Sequence, residues 1–305
     1  MKFTKKDDLI IIGAGKISYS LAPAMIDAGY KIKSIISSKK KKAEELAFKL
    51  NIKEFSDNLE SLNIKKGIFI LAVSDNQIRI TAERLSALKI DFPKSLIIHL
   101  SGSHDISLLK SVGLKKAHTA SFHIMQSFPS RRRRNIKNSF SSIETLSREA
   151  SEFLFNLSKD LKLNPFQLDS RNKVIYHLAA IFASNFLNAV LFQSQQLFDI
   201  LGYKEYSFND IFSPLYSSTI KNIKQTNPSK ALSGPIERGD LVTIKKHIRE
   251  IKRMSCKKPD ILSTYLLLSL SLLDASAVKS GKLNSHAEIK ELLVKELNKF
   301  KQSNN

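Results

Sequence analysis

The chain has 305 residues, 42% of them hydrophobic, with 49 Lys and Arg against 28 Asp and Glu for a net charge of +21. That length carries two domains with ample core, and the hydrophobic share excludes an intrinsically disordered chain. A single cysteine, Cys256, excludes an internal disulfide framework, and with no charged leader ahead of a cleavable apolar segment the expected compartment is the reducing cytoplasm.

Leu9–Ile12 reads as a buried strand, followed by Gly13-Ala14-Gly15-Lys16-Ile17-Ser18 and a helix that closes at Ala28-Gly29. Glycine at 13 permits a tight turn, and glycine at 15 lets backbone approach a pyrophosphate. The amides opening the helix offer that anion donors and a positive dipole end. Ser18 stands at the third glycine position and is small enough for helix and strand to lie close. Gly13, Ala14, Gly15, Lys16 and Ile17 are therefore assigned to a dinucleotide. Tyr30–Ile36 gives a second strand, and Ser37-Ser38-Lys39 follows where the ribose is read. An acid there would accept from the ribose hydroxyls. None is present, so hydroxyls and cations favour the 2′-phosphate of NADP, with NAD still possible. The run Lys39–Lys42 also suits the exposed start of a helix over Lys40–Leu50, which is its plainer reading.

Asn51–Phe55 and Lys66–Val73 supply the third and fourth strands, the latter apolar enough to be covered on both faces. Ala72-Val73-Ser74 then turns into a helix over Asn76–Leu88 and borders the cofactor, with Asp75 suited to cap that helix. A fifth strand, Ser95–Leu100, ends in His99-Leu100-Ser101-Gly102, and a sixth, Lys116–Phe122, ends in His123. Both ends fall on the cofactor side, which makes His99, Ser101, Gly102, His123 and Gln126 candidate substrate contacts. His99, His104, His118 and His123 lack the paired spacing of a zinc site, so no metal is expected. Phe140–Ile143 and Leu163–Leu168 read as edge strands around a helix over Glu144–Leu161. The Arg131–Arg134 run between them reads as a solvated loop.

From Arg171 onward the patterns are helical only: Lys173–Leu201, Ser207–Lys224, Gly239–Arg253, Ile261–Val278 and His286–Phe300, with a glycine- and proline-rich turn, Ala231–Asp240, among them. The fold expected is α/β, a doubly wound and mostly parallel sheet over residues 1–169, followed by an all-helical domain over 170–305 that binds substrate and dimerises. Ile261–Val278 is expected to be a buried helix, since serines and Asp274 interrupt it. Tyr265–Leu273 offers more apolar circumference than one small helical domain covers, which predicts a homodimer through that domain. Lysine is spread along the whole chain without aromatic platforms, so neither a specific nucleic acid nor a membrane is expected as partner. A small anionic molecule is the expected substrate.

The helix carrying YHLAAIFASNF places His177 and Asn185 on one face, two turns apart, with Lys173 one turn before His177. Reduction of a carbonyl or imine needs a proton donor, which His or Lys supplies near neutral pH. A histidine bonded within the core is the alternative for His177.

The motifs IIGAGKISYSLAPAMIDAGY, LAVSDNQI, HLSG, SFHIMQSF, YHLAAIFASNF and ALSGPIERGD together resemble a family of Rossmann-like oxidoreductases of unassigned substrate. Its N-terminal part is similar to deazaflavin-dependent NADP oxidoreductases and its C-terminal domain has no known function. The resemblance spans Leu9 to Leu273, with Leu100, Ile124 and Ser127 departing from the usual HTSG and HPLQTF patterns. Ser38 stands where the family commonly has arginine, which passes the phosphate contact to Lys39 or Lys42. In layout the family is similar to ketopantoate reductases and 6-phosphogluconate dehydrogenases, and the resemblance implies a helical domain of the latter's C-terminal type. It also implies His177 near a catalytic lysine position and Asn185 near a substrate-binding asparagine. The activity implied is hydride transfer between a nicotinamide cofactor and a small carbonyl or imine compound in an interdomain cleft. A dinucleotide-binding regulator or assembly protein without turnover is the alternative.

Overall fold

A computed structural model describes residues 2–254, 259–281 and 286–303; Cys256 lies outside them. The chain divides into two compact units, Met1–Leu187 and Asn188–Asn305, so the first unit runs past residue 169 to take in the first helical turns after the sheet.

In the first unit, strands and helices alternate as β1 (Leu9–Ile12), α1 (Ser18–Asp27), β2 (Ile32–Ile36), α2 (Lys40–Lys49), β3 (Glu54–Ser56), β4 (Ile68–Leu71), α3 (Asp75–Ser86), β5 (Leu96–His99), α4 (Lys110–Gly113), β6 (His118–Ile124), β7 (Phe140–Thr145), α5 (Arg148–Asp160), β8 (Asn164–Gln167) and α6 (Lys173–Ala183). The strands form one sheet in the order β3-β2-β1-β4-β5-β6-β7-β8. The first six strands run parallel, β7 is antiparallel to β6, and β8 is parallel to β7. This is the mostly parallel, doubly wound sheet that the sequence implies.

The sheet's two faces differ. On one, Leu9, Ile11, Ile35, Ile70, Ile98, Phe122 and Ile143 make a continuous apolar layer under Met25 of α1, Leu46 of α2 and Leu154 of α5. On the other, Ile10, Ile12, Phe69, Leu71 and Ile97 pack with Ile78 and Leu85 of α3 and Val112 of α4. Each of these fully buried side chains contributes about 1.5–3 kcal/mol of transfer free energy. The second apolar layer stops at β5. In β6 the alternation is Ala120, Phe122 and Ile124 toward the first face and Thr119, Ser121 and His123 toward the second. Register then aligns a polar row across the sheet, because His99 pairs with Ser121 and Ser121 with Glu144.

Three local expectations are corrected. Glu144 lies inside β7, and α5 begins only at Arg148, where Ser147 caps it by accepting from the Ala150 N–H at 3.1 Å. The residues FSSIET alternate with period two, and pairing with β6 outweighs the modest helical propensity of Glu144. Asp75 is the first residue of α3; Ser74 holds the cap position. The long helix expected over Lys173–Leu201 breaks at Ser184, whose φ of −129° and ψ of −65° separate α6 from α7 (Asn185–Ile200).

The remaining helices are α8 (Phe208–Gln225), α9 (Pro235–Arg238), α10 (Leu241–Met254), α11 (Pro259–Ser280) and α12 (Ala287–Ser303). In the second unit Ile236, Ile244, Ile248, Leu266, Ile289 and Leu293 form the core. Two helical stretches among the described residues, Ser170–Ile200 and Asp260–Ser280, are long and apolar enough to cross a membrane; within the second, Ile261, Leu262, Leu266 and Leu273 are buried in this core. α8 has no buried residue, and Phe192 of α7 and Leu215 of α8 are 60% and 63% exposed. The ALSGPIERGD turn is held by Lys279, which donates to the Leu232 carbonyl at 2.8 Å and pairs with Glu237 at 2.9 Å.

Candidate functional site

At the carboxyl end of β1, Gly13 adopts φ +117°, and a Cβ there would come within 2.2 Å of the Ala72 carbonyl oxygen. Only glycine fits without parting β1 from β4. A Cβ on Gly15 would meet Ala72 O at an ordinary 3.6 Å and no other atom within 4 Å, so this position is open toward the groove. Ser18 adds something beyond small size: its hydroxyl donates to the Gly13 carbonyl at 2.6 Å and closes the turn from within. The groove is lined by Gly13, Ala14, Gly15, Ser37, Ser38, Ala72, Val73 and Ser74, all of which the sequence singles out. Lys42, Asp57, Gln77, Thr81 and Arg84 line it as well. Lys16, Ile17 and Lys39 do not: Ile17 packs on the core, and Lys39 occupies the N-cap of α2. Arg84 is held by Glu60 through both its Nε and Nη2. A glycine cradle that a side chain would fill, beside hydroxyls and a lysine, fits a phosphorylated dinucleotide.

A second site lies at the same end of the sheet, on β6. His123 contributes Nδ1 to a 3.0 Å hydrogen bond with the Tyr176 hydroxyl, and its ring centroid lies 6.4 Å from that of His177 at 80°. Burial raises the Tyr176 pKa, so the phenol keeps its proton. Burial first, and then the charge of His177, push His123 down to about 4. His123 is thus neutral at pH 7. Its Nε2 lies against Gly102, where a Cβ would stand 2.9 Å from it, so the absent side chain at 102 makes room for the ring. His177 has its Nδ1 buried with no hydrogen-bond partner among the described residues. His123, Gln126, Ser127, His177, Ser184 and Asn185 line one cavity, formed entirely by residues of the first unit. Four residues named from the sequence, His123, Gln126, His177 and Asn185, thereby come together.

Others are placed elsewhere. His99 is fully buried; its Nδ1 accepts from the Ser101 N–H at 3.2 Å and its Nε2 faces the Asp105 carbonyl at 3.1 Å. Burial, followed by the charge of Lys173, lowers its pKa to about 3, so it stays neutral and both nitrogens are used in shaping the loop. It cannot meet a substrate. Ser101 serves the same loop, accepting from the amides of Ser103 and His104. Lys173 is 1% exposed, paired with Glu144 at 3.1 Å and hydrogen-bonded to Ser121. The other Glu144 oxygen accepts from the Ile106 amide at 3.2 Å and the Ser170 hydroxyl at 2.7 Å. Burial lowers the Lys173 pKa while Glu144 works against that shift. A lysine sealed this way fixes α6 on the sheet; it is not a proton donor to a cavity. Tyr176 and Glu144 were not anticipated, although the alternation in HTASFHI and FSSIET puts Ser121, His123, Ser142 and Glu144 on one face.

Ser103 donates to Asp75 at 3.2 Å, which ties the loop carrying Gly102 to the start of α3 beside Ser74. The arrangement defines an NAD(P)-binding fold of the oxidoreductase type with a histidine pair at the same sheet edge. Residues 8–101 match the family of NADP oxidoreductases, coenzyme F420-dependent, and residues 139–272 match DUF2520, a domain of unknown function. The two matches fall in the two regions on which the resemblance of the sequence to this family rests. Among solved structures it is similar to a Bacteroides fragilis protein provisionally assigned as an NADP oxidoreductase, 26% identical over 88% of this chain and 99% of that one, with a TM-score of 0.75. It is also similar to protein TM1727 from Thermotoga maritima, at 23% identity over 89% and 99% with a TM-score of 0.68. The fold is shared with a reductive aminase from Aspergillus terreus in complex with NADPH, at 14% identity over 90% and 95% with a TM-score of 0.59. No curated protein matches the chain.

Proposed function

We propose that this protein is an NADP-dependent oxidoreductase that reduces the carbonyl or imine group of a small anionic compound. The observation that carries the reading is that a glycine cradle for a dinucleotide and a paired histidine cavity lie at the carboxyl edge of one sheet. When bound, the cofactor supplies the hydride. Gly13 and Gly15 would admit its pyrophosphate, and Ser38 and Lys42 would hold its ribose phosphate. His177 delivers the proton. His123, held neutral, donates to the substrate atom that gains electron density, and Asn185 orients the substrate. The chain's net charge of +21 favours anionic ligands.

The cofactor half of this reading is tested at Gly15. Because a side chain there meets only ordinary contacts in the protein, Gly15→Val is expected to leave the fold and thermal midpoint unchanged while abolishing NADPH binding in a fluorescence titration. Unaltered NADPH affinity in the folded variant contradicts it.

We also propose that two copies associate through the helical region. The exposed apolar residues of α7 and α8, and the unburied apolar side chains Leu267, Leu268 and Leu272 of α11, form the kind of surface that obligate dimers cover. Light scattering at micromolar concentration is expected to give twice the mass of one chain; a monomer mass refutes the association.

A further inference from the structure

We infer that the cofactor groove contains an adenine subsite formed by Arg84 and Asp57: the base stacks on the flat face of the Arg84 guanidinium, and the Asp57 carboxylate accepts from its exocyclic amino group. This rests on the reading of the groove as a dinucleotide site. Beyond the glycine turn, α3 lines the groove with Gln77, Thr81 and Arg84, spaced by four and then three residues and so on one helix face. Asp57 and Leu59, from the segment that follows β3, line it too. One ion pair ties this segment to α3: the Glu60 carboxylate accepts from Arg84 Nε at 3.1 Å and from Nη2 at 3.0 and 2.9 Å. The Ser37 amide donates to the Ser56 carbonyl at 3.0 Å, which holds the start of the segment beside the end of β2.

The pairing with Glu60 decides what Arg84 offers a ligand. Its Nε–Nη2 edge is occupied by the carboxylate and its charge is matched there, which makes it a weak partner for a phosphate. Its side chain is nonetheless 52% exposed, and what a guanidinium pinned along one edge keeps free is chiefly its flat faces, on which a nucleobase stacks. Asp57 is the complementary case. It is exposed and makes no side-chain hydrogen bond or ion pair among the described residues, although Lys42 lines the same groove. A free carboxylate repels the phosphates of a dinucleotide, which the glycine turn and Lys42 are suited to receive. It gains from a neutral donor, and the adenine amino group is one. Hypoxanthine carries a carbonyl oxygen at that position, which a carboxylate repels.

Calorimetric titration of the full chain with NADPH and with its hypoxanthine counterpart, reduced nicotinamide hypoxanthine dinucleotide phosphate, tests this in the wild type, Asp57→Asn, Arg84→Ala and Arg84→Lys. The wild type is expected to bind NADPH about tenfold or more tightly than the hypoxanthine form, the size of one hydrogen bond to a charged group. Asp57→Asn should bring the two affinities within about twofold of each other, because an amide can turn a donor toward the hypoxanthine carbonyl. Arg84→Ala should weaken both ligands equally, on the order of tenfold, as the loss of a stacking surface does. Arg84→Lys keeps a cation for Glu60 but no plane, and should weaken them as much. Full affinity in Arg84→Lys would show that the tie to Glu60 is what matters and refute the stacking. A wild type that binds both forms equally, or equal losses of both forms in Asp57→Asn, refutes the amino-group contact and leaves the groove assignment standing. A wild type that does not bind NADPH overturns that assignment and this inference with it.

Discussion

Replacing Lys173 with Met is expected to lower the stability of the first unit by about 3–5 kcal/mol, the cost of leaving a buried charge without its partner. The pair is almost wholly removed from water, at 1% and 5% side-chain exposure. Glu144 would keep its bonds to the Ile106 amide and the Ser170 hydroxyl but lose the cation that neutralises it. The cost therefore resides in the stranded carboxylate more than in the strength of the original attraction. Adding Glu144→Gln to Lys173→Met should recover a large part of the loss, because a neutral amide retains hydrogen bonds to both donors. Denaturant melts of the two single variants and the double variant supply the cycle. A loss under 1 kcal/mol in Lys173→Met would mean that water or another cation reaches Glu144.

His177→Gln is expected to reduce turnover by about 100-fold to 10,000-fold, roughly 3–5 kcal/mol in activation free energy. Glutamine keeps much of the size and a donor at the cavity wall but carries no titratable proton. NADPH affinity should be unaffected, since His177 lies outside the groove lining. His123 cannot replace the donor, because burial keeps it neutral down to about pH 4. Near-normal turnover per folded molecule, with stability reduced, would assign His177 to packing.

Much of the cofactor groove is legible in the sequence because its determinants are local. Gly13, Gly15 and Ser18 act within one turn, and the absence of an acid after β2 is a statement about neighbours in the chain. The histidine cavity is half legible. His123 and His177 stand out as polar residues in apolar runs, but Tyr176 sits in the same run and has no signal until β6 is laid beneath α6. Glu144 was hidden by a boundary: with the strand ended at Ile143, its side chain belongs to a helix surface, whereas one more residue of pairing carries it into the interior. Lys173 was misread for the related reason that its partner lies on a strand whose register only the sheet defines. The break at Ser184 has neither glycine nor proline to announce it.

The polar row running from His99 through Ser121 to Glu144 has a geometric consequence. An apolar helix such as α6, with Val174, Ile175, Leu178 and Phe182 largely exposed, could slide along a greasy surface with little penalty, since one aliphatic contact replaces another. Laid on a stripe containing a single carboxylate, it cannot. Moving α6 by one residue turns Lys173 about 100° away from Glu144, and moving it by a full turn displaces the ammonium some 5.4 Å along the axis. The ion pair thus works as a vernier: it fixes the phase of the helix, and with it the angle at which His177, one turn further on, is presented to His123. Inserting or deleting a single residue between Asp169 and Lys173 would dephase that alignment while leaving every element of the sheet intact.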